Sequence, residues 1–470
     1  MRRLKLEYIV EGTGGRLYSR AENGEYSSIT SVEIDNRRMK DECLFFCIIG
    51  ARIDAHTLLD DVRSRGCHNV VVSDEAWAEK MAAYGDMNVI LVEDTLIALD
   101  NLTEKYMDDW EDLKVVAVTG SAGKTTTKEF LYSVLSAKYK TGKTPGNYNS
   151  DTGIPLTVFN SYGDDIEIAI SEIGIGDGRD MGDLVTMVKP ENAIITNVGS
   201  VHMEFFESSR EKLLEAKLRV TKLFDETNTL IVNNNENNLS RDSICSHSNG
   251  KFNIITVGNR EESDYRISDI EDRGIDGVSA KLSVRGAEYR IEIPIIGAHN
   301  LFNATEAIAM GELYGISIEE GLEAIKHIDM AQDRLDVHRG KYTIINDTYN
   351  ANPEALRAAL EIVKKTSAAR KGLIVGSMGE LGDQAAEIHR ESGRFIAGCG
   401  LDYVATVGEL ATEIADELKR VGGVDKIYSF ASFEELMKVL ESEILSEGDL
   451  LLVKGSNSLG LNRVVKELEK

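Results

Sequence analysis

The chain has 470 residues, of which 42% are hydrophobic and 28% are charged, as in an ordinary folded protein. This composition excludes disordered, collagen-like and low-complexity proteins. Its 79 acidic and 53 basic side chains give a net charge of −26, the opposite sign to that of most proteins that bind nucleic acid through charge. We therefore expect no nucleic-acid partner, and an anionic ligand would need a local site built to receive it.

The sequence offers no recognisable targeting or membrane segment. The longest apolar run, residues 44–51, is much shorter than the roughly 20 residues of a membrane helix. The first residues include basic side chains but lack the apolar stretch of a signal peptide. The five cysteines are scattered and form no C-x-x-C pair, which favours a reducing compartment. We therefore expect a cytoplasmic protein without a membrane span.

The apolar patterns fall into three zones, which agrees with the roughly 150 residues of a typical domain. We predict an N-terminal domain over residues 1–112, a central domain over 113–329 and a C-terminal domain over 330–470. The first zone mixes short apolar runs with helical segments, which is typical of a small α/β domain.

In the second zone, apolar β-branched runs alternate with helical patterns, which predicts a parallel sheet covered on both faces. The predicted strands lie at 115–119, 166–172, 193–197, 229–232 and 252–257, and the clearest helices at 124–138 and 210–223. Two alternating segments within 264–296 predict a small antiparallel hairpin. In the third zone, strands alternate with helices, including helices at 353–365 and 385–397, which predicts a Rossmann-like, doubly wound sheet. The predicted class is α/β.

The sharpest motif follows the first strand of the central zone and leads into a helix. Its glycines would let backbone N–H groups converge on a phosphate, and the helix N-terminus would add partial positive charge. Lys124 is predicted to neutralise the β- and γ-phosphates of ATP, and the Thr125 hydroxyl to hold Mg²⁺. The general P-loop has glycine where this chain has Val118, so the motif is the shorter T-G-x-x-G-K-T-T form. The predicted ATP-binding loop consists of Gly120, Ser121, Ala122, Gly123, Lys124, Thr125 and Thr126.

This shorter loop resembles that of the Mur ligase family, the ATP-dependent amide ligases of bacterial cell-wall assembly. Three later features resemble the family in the same order: Glu172 at a strand end, His202 after the next strand, and Lys217 on a helix. The resemblance implies that Thr125, Glu172, His202 and Lys217 hold two Mg²⁺ ions, with Lys217 carbamylated. It also implies catalytic roles for Lys124, Lys217 and His202.

The family resemblance extends to the rest of the nucleotide site. In the segment Gly297-Ala-His-Asn300, the asparagine matches a residue that lies against the adenine, although asparagine at a helix start is also a common N-cap. Arg334 matches an arginine that reaches the ATP phosphates. Asp347 and Asn350 are expected near the ribose or the phosphates.

The acceptor side resembles one branch of the family, which adds D-alanyl-D-alanine to a UDP-linked tripeptide. The segment Asp347-Thr-Tyr-Asn-Ala-Asn-Pro353 resembles that branch, although Asn346 replaces an acid before it. A guanidinium such as that of Arg37 could bind a diphosphate through two hydrogen bonds. The resemblance implies substrate contacts by Asp35, Arg37, Asn147, Asn149, Tyr349 and Asn352. Ser377 and Asn457 also depart from the family pattern.

The implied function is an ADP-forming ligase that joins D-alanyl-D-alanine to UDP-N-acetylmuramoyl-tripeptide through an acyl phosphate, in the synthesis of peptidoglycan precursors. Its partners would be these small molecules, and we expect a monomer. Two alternatives stay open. The chain could be a paralogue that ligates another acceptor or amine, such as a sibling Mur ligase or a folate polyglutamate ligase. It could also be a P-loop ATPase or binding protein without a ligase step, although such a protein would need neither the third zone nor a carbamylated lysine.

Overall fold

A computed structural model of the chain describes residues 1–22, 26–40, 42–175, 180–199, 209–248, 250–328, 334–379, 381–456 and 459–469. Over these residues the strands form three large sheets and one two-stranded sheet. Each large sheet takes all its strands from one of the three zones of the sequence. The predicted α/β class is confirmed. Within the same ranges, no helix combines the length and the apolar character needed to cross a bilayer.

The N-terminal zone folds around a five-stranded sheet with strand order β2-β7-β6-β5-β4, and β1 pairs with β3 beside it. The strands are β1 (Leu4–Lys5), β2 (Arg16–Ser19), β3 (Ser28–Ile29), β4 (Ser31–Glu33), β5 (Cys43–Phe46), β6 (Asn69–Val72) and β7 (Asn88–Leu91). The helices are α1 (Leu6–Thr13), α2 (Leu59–Ser64), α3 (Glu75–Ala82) and α4 (Thr95–Asp108).

The central zone contains a nine-stranded sheet with strand order β16-β15-β14-β13-β12-β11-β8-β10-β9. The strands are β8 (Lys114–Thr119), β9 (Thr141–Lys143), β10 (Ile168–Glu172), β11 (Asn192–Ile195), β12 (Thr229–Asn233), β13 (Asn253–Gly258), β14 (Tyr265–Asp272), β15 (Val278–Val284) and β16 (Ala287–Ile293). The helices are α5 (Lys124–Ser136), α6 (Gly153–Ser161), α7 (Met181–Val188), α8 (Arg210–Leu218), α9 (Arg241–His247), α10 (His299–Leu313) and α11 (Ile318–Ala324).

The side chains of strand β8 contribute to two hydrophobic cores, one on each face of the central sheet. Successive side chains of a strand point to opposite faces of the sheet. Val115 and Ala117 accordingly join a core that continues into the N-terminal zone, whereas Val116 and Val118 join the core beneath α5 and α10. All four side chains are buried, as expected of a parallel sheet covered on both faces.

The C-terminal zone forms a six-stranded sheet with strand order β17-β18-β22-β19-β20-β21. The strands are β17 (Asp336–Arg339), β18 (Thr343–Asp347), β19 (Lys371–Gly376), β20 (Tyr403–Val407), β21 (Lys426–Phe430) and β22 (Leu450–Lys454). The helices are α12 (Pro353–Lys365), α13 (Ala385–Ala397), α14 (Thr412–Val421), α15 (Phe433–Val439) and α16 (Asn462–Leu468).

The structure differs from the sequence prediction at several sheet edges; for example, strand β9 at one edge of the central sheet was not predicted. The predicted hairpin is present, with its turn at Arg285 and Gly286, but β15 and β16 extend the nine-stranded sheet through β14 rather than standing apart from it. Strand β17 was not predicted, because its sequence Asp-Val-His-Arg lacks a clear apolar alternation. It pairs antiparallel with β18 at the sheet edge, where its side chains remain partly exposed.

The N-terminal and central zones are joined by a packed interface. The backbone of Val32 on the edge strand β4 donates to Asn160 Oδ1 (3.1 Å) and accepts from Asn160 Nδ2 (2.6 Å). Beside this pair, the rings of Tyr106 and Phe159 pack with their centroids 5.1 Å apart. The side chain of Asn160 thus pairs both the N–H and the C=O of Val32. These groups would be unpaired if the edge of the strand were exposed.

One buried carboxyl makes stability depend on pH. Glu306 on α10 is fully buried, and neither of its carboxyl oxygens has a hydrogen-bond partner among the described residues. Burial raises the pKa of Glu306 well above its usual value, while the neighbouring Thr127 acts weakly in the other direction. The folded protein therefore retains this proton at pH values where the unfolded chain has lost it, so stability falls as pH rises above about 4.5.

We predict that Glu306→Gln stabilises the protein by about 1–3 kcal/mol at pH 8, because the amide never needs to lose or gain a proton. The difference in unfolding free energy between Glu306→Gln and the parent should become smaller as the pH is lowered toward about 5. Urea unfolding at several pH values measures this difference. Glu319→Gln, on the exposed first turn of α11, is the matched control and should change little. A gain that is independent of pH would contradict the assignment.

Candidate active site

The topology of the central sheet brings three strand ends to one edge. Strand β8 lies between β10 and β11, and all three run parallel. The P-loop after Thr119, the carboxylate of Glu172 and the turn after Ile195 therefore meet at the same edge. Open α/β sheets bind their ligands outside the carboxyl ends of their strands.

Two glycines of the P-loop are required by close contacts and by backbone conformation. Gly120 has φ 149°, and a Cβ there would lie 2.0 Å from Thr196 Oγ1. Gly123 caps helix α5 with φ 82°, and its Cβ would lie 3.1 Å from Asn303 Oδ1. A side chain at either position would be strained or would displace a neighbour. The loop is therefore held between the turn after β11 and helix α10.

The turn after β11 also orients the P-loop backbone. The side-chain oxygen of Asn197 accepts hydrogen bonds from the N–H groups of Ser121 (2.9 Å) and Ala122 (2.8 Å). The Ser121 hydroxyl accepts in turn from the N–H of Gly199 (3.0 Å). In the sequence, Asn197 opens the Asn-x-Gly-x-x-His pattern that ends at His202, but no separate role was predicted for it.

The P-loop side chains converge on the carboxylate of Glu172. Thr125 Oγ1 donates to this carboxylate, at 3.0 Å from Oε2 and 3.2 Å from Oε1. Lys124 is the first residue of α5, and its Nζ donates to the carbonyl of Gly120 (2.7 Å). Burial lowers the pKa of the Lys124 amine, and the charge of Glu172 opposes that shift. Thr126 is partly buried in the first turn of the same helix.

Lys217 lies on α8 and is almost completely buried, with 1% of its surface exposed. Burial and the nearby charge of Lys124 lower the pKa of this amine well below its usual value, and Glu354 opposes the shift. Glu354 comes from the first turn of α12 in the C-terminal zone. It also lies against the turn after β11, since a Cβ on Gly199 would meet its Oε2 at 2.7 Å. The third zone thus contributes a carboxylate whose charge acts on Lys217, and this residue was not predicted from the sequence.

These side chains fit a magnesium nucleotide. A hydroxyl and a carboxylate supply the oxygen ligands that Mg²⁺ prefers, and Mg²⁺ commonly takes only one or two protein ligands together with substrate phosphates. The described part of the chain holds no cluster of three or more His, Cys, Asp or Glu residues that could bind a metal by itself. The first N–H groups of α5 have no partners within a helix and face the same edge of the sheet.

The residues predicted near the adenine lie on α10, beside the P-loop. Asn300 Nδ2 donates to the carbonyl of Ile296 (2.8 Å), and its Oδ1 accepts from Asn303 Nδ2 (3.0 Å). The helix is capped by Ala298 without a side-chain hydrogen bond, so Asn300 is not its N-cap. Both asparagines are buried.

In the C-terminal zone, the predicted residues lie around two cations. The Arg334 guanidinium stacks 3.8 Å from the ring centre of Tyr349, and its charge acts on Lys124. Lys454 is 1% exposed; its Nζ lies 3.0 Å from Asp347 Oδ2 and also donates to the carbonyl of Asn350. Lys454 therefore holds the loop after β18 in place, a role that the sequence analysis did not assign.

Two polar residues of the C-terminal zone, Asn352 and His389, have structural roles in this fold. Asn352 accepts from the N–H of Ala355 (2.7 Å) and caps α12, where Pro353 occupies the first turn. His389 accepts from the N–H of Met378 (3.0 Å) through Nε2, and its Nδ1 lies 2.6 Å from the carbonyl of Ala385. Burial lowers the pKa of His389, which suits a neutral ring with one donor and one acceptor.

On the acceptor side, the predicted residues are divided among all three zones, and Tyr349 and Asn352 lie in the third. Arg37 is exposed and forms two hydrogen bonds with Asp35, at 2.9 and 2.7 Å, which lower the pKa of Asp35 to about 2. Asn147 is exposed in the loop after β9, whereas the side chain of Asn149 donates to Glu172 Oε1 (2.8 Å). In the same loop, Tyr148 accepts from Arg38 of the N-terminal zone. His202 and Asn457 lie outside the described residues.

Comparison with known proteins places the whole chain in one family. Residues 118–311 match the Mur ligase middle domain, and residues 333–457 match the Mur ligase, glutamate ligase domain. The UDP-N-acetylmuramoyl-tripeptide–D-alanyl-D-alanine ligase of Bacillus subtilis (strain 168) is 33% identical over 449 residues, which cover 94% of each chain.

Two solved structures agree with this match. Crystal structure II of MurF from Acinetobacter baumannii has a TM-score of 0.86 at 26% identity, with both chains fully covered. The MurF ligase of Thermotoga maritima, solved in complex with ADP, has a TM-score of 0.76 at 26% identity and covers 93% of this chain and 96% of its own. The similarity extends over sequence and fold, and the chain belongs to the Mur ligase family.

Proposed function

We propose that this chain is an ATP-dependent, ADP-forming ligase that joins D-alanyl-D-alanine to UDP-N-acetylmuramoyl-tripeptide in the cytoplasmic synthesis of peptidoglycan precursors. The observation that supports it best is the strand-end site, where Thr125 and Glu172 share a hydrogen bond beside the buried Lys217. The relatives that match the whole length of the chain have this activity in their names. The five cysteines are free thiols, which suits a reducing compartment.

The reaction requires activation of the acceptor. A carboxylate is a poor electrophile, so its phosphorylation by ATP provides a leaving group. The amine of the dipeptide then attacks the acyl phosphate, and the tetrahedral intermediate releases phosphate. Two Mg²⁺ ions would supply charge neutralisation for phosphoryl transfer. Lys124 and the P-loop amides would hold the nucleotide phosphates, and the Thr125 hydroxyl and the Glu172 carboxylate would provide oxygen ligands for the metal.

The burial of Lys217 supports its carbamylation. Carbon dioxide reacts with a neutral amine, and burial lowers the pKa of Lys217, so the neutral form is more accessible than in an exposed lysine. The product is an anion that offers oxygen ligands for a second Mg²⁺. His202 is proposed as a further ligand on the strength of the family pattern alone.

The two rival functions make different predictions. A paralogue would accept another amine or acceptor, whereas an ATPase without a ligase step would hydrolyse ATP in the absence of both. The loop that contains Tyr349 and Asn352 and the contribution of Glu354 from the third zone favour the ligase.

A ligation assay with defined substrates tests the proposed function. ATP, Mg²⁺, D-alanyl-D-alanine and UDP-tripeptides that contain either lysine or diaminopimelate are combined, and the products are identified by mass. We expect phosphate release only when both co-substrates are present. Ligation of a single amino acid in place of the dipeptide would favour a paralogue, and phosphate release without an acceptor would favour an ATPase.

We predict that Lys124→Ala lowers kcat by about 10³-fold or more, because it removes the cation that neutralises the transferring phosphate. The fold should be retained, since Lys124 Nζ contacts only a loop carbonyl among the described residues. Steady-state ligation rates and circular dichroism measure the two effects. Lys140→Ala removes an exposed lysine paired with Asp165 and is the matched control. Turnover close to that of the parent in folded Lys124→Ala would refute the role.

We predict that Lys217→Ala is nearly inactive and that a short carboxylic acid such as acetate partly restores its activity. The acid can occupy the space of the missing carbamate and supply its oxygens. The same acid should not rescue Lys124→Ala, whose missing group is a cation. Rates at increasing acid concentration provide the measurement. If Lys217→Ala keeps most of its activity without the acid, the carbamate assignment is wrong.

We predict that Arg37→Ala raises KM for the UDP-tripeptide roughly tenfold or more while KM for ATP stays unchanged, because a charged donor to the diphosphate is lost. Arg16→Ala removes another exposed arginine of the same zone, paired with Glu75, and serves as the control. Equal KM values for the acceptor in parent and Arg37→Ala would contradict the placement of the UDP moiety.

A further inference from the structure

A second lysine of the P-loop helix is buried beside the metal site. Lys128 lies one turn after Lys124 on α5, and none of its side chain is exposed. Its Nζ lies 3.3 Å from Glu172 Oε2 and 3.4 Å from Glu129 Oε1, and it donates to the carbonyl of Gly146 (3.2 Å). The carbonyl of Gly146 thus accepts a hydrogen bond from the ammonium, and the two carboxylates form ion pairs with its charge.

This arrangement has a cost that calls for an explanation. Removing an ammonium from water costs several kcal/mol unless charged and hydrogen-bonded partners compensate. The helix could bury an apolar side chain at this position at lower cost. A lysine that spans a strand-end carboxylate and a loop carbonyl instead fixes the relative positions of both groups.

Lys128 completes the set of donors around Glu172. Asn149 Nδ2 donates to Oε1 at 2.8 Å, and Thr125 Oγ1 donates on the side of the P-loop. A carboxylate has about four lone-pair directions, so Glu172 can accept from Asn149 at Oε1 and face the Lys128 ammonium at Oε2 while lone pairs remain toward Thr125. Groups that hydrogen-bond a metal-ligating carboxylate in this way orient it toward the metal.

The same ammonium also supports the 144–149 loop, which runs from β9 toward α6. Lys128 binds this loop at Gly146, and the loop returns to Glu172 through Asn149. Its Tyr148 contacts Arg38 of the N-terminal zone, which is proposed to bind the UDP moiety. The carboxylate at the metal site and the loop that faces the acceptor domain therefore share one buried cation.

We propose that Lys128 is a positioning residue that fixes Glu172 for the nucleotide-bound metal and the 144–149 loop for the acceptor. This inference rests on the proposed function, since it takes Glu172 as the metal ligand. A neighbouring cation provides a matched comparison. Lys143 pairs with the other oxygen of Glu129 and lies 4.1 Å from the ring centre of Tyr132, but it contacts neither Glu172 nor Gly146.

The test compares Lys128→Met with Lys143→Met, each of which removes one cation from the same cluster. Calorimetry measures how much Mg²⁺ tightens the binding of ADP, and ligation assays give KM for the UDP-tripeptide. In Lys128→Met we expect the Mg²⁺-dependent tightening to fall on the order of tenfold and KM for the acceptor to rise. Both quantities should stay near parent values in Lys143→Met.

The sign of the metal effect separates positioning from simple charge removal. If Lys128 acted only through its charge, its loss would leave more negative potential at the site and tighten Mg²⁺ binding. The proposal would be overturned if Mg²⁺ tightened ADP binding as much as in the parent or more, or if KM for the acceptor were unchanged.

If Lys128→Met does not fold, Lys128→Gln, which keeps a donor without the charge, gives the same readouts. Failure of the parent enzyme to ligate the dipeptide would refute the proposed function, while the ADP measurement would still report on Lys128.

Discussion

The site depends on the burial of cations at the strand ends. Lys128, Lys217 and Lys454 are each at most 1% exposed; the first two lie on helices α5 and α8 of the central zone, and Lys454 ends strand β22 of the third zone. A buried ammonium is tolerated only when charged or polar groups compensate for lost water. Lys128 and Lys454 are compensated by Glu172 and Asp347, respectively, which fixes two strand-end carboxylates.

Lys217 differs from the other two. Among the described residues, no carboxylate lies within ion-pair distance of its amine, and the charge of Glu354 acts on it from farther away. Burying an ammonium here without a paired carboxylate would cost free energy. A neutral amine, or an anion that faces cations, would avoid that cost. Two of these lysines thus hold strand-end carboxylates, and the third is the one for which carbamylation is proposed. All three lysines are similarly buried, so Lys217 differs from the other two in its partners and not in its exposure.

The sequence predicted elements where local signals were strong. The helices expected at 353–365 and 385–397 have those bounds in the structure. The first begins after its cap Asn352, with Pro353 in the first turn, where a missing N–H leaves no hydrogen bond unmade. The P-loop was predictable because strand, glycines and helix lie next to one another in sequence. Lys128 and Lys454 were not predictable as buried residues, since a lysine on a helix or strand end is usually exposed. Lys454 is buried against Asp347, which lies 107 residues away in the chain, and Lys128 is buried against Glu172 on a separate strand.

The contribution of the third zone could not be predicted from local pattern either. Glu354 is an unremarkable acidic residue in the first turn of a helix, a place where acids favour the helix dipole. Only the packing of α12 against the turn after β11 brings its carboxylate to Gly199 and into the field of Lys217. A carbamate at Lys217 would carry the same sign as Glu354, so the two anions would require cations between them. The metal ions proposed for this site would supply those cations and would offset charge contributed by both the central and the third zone.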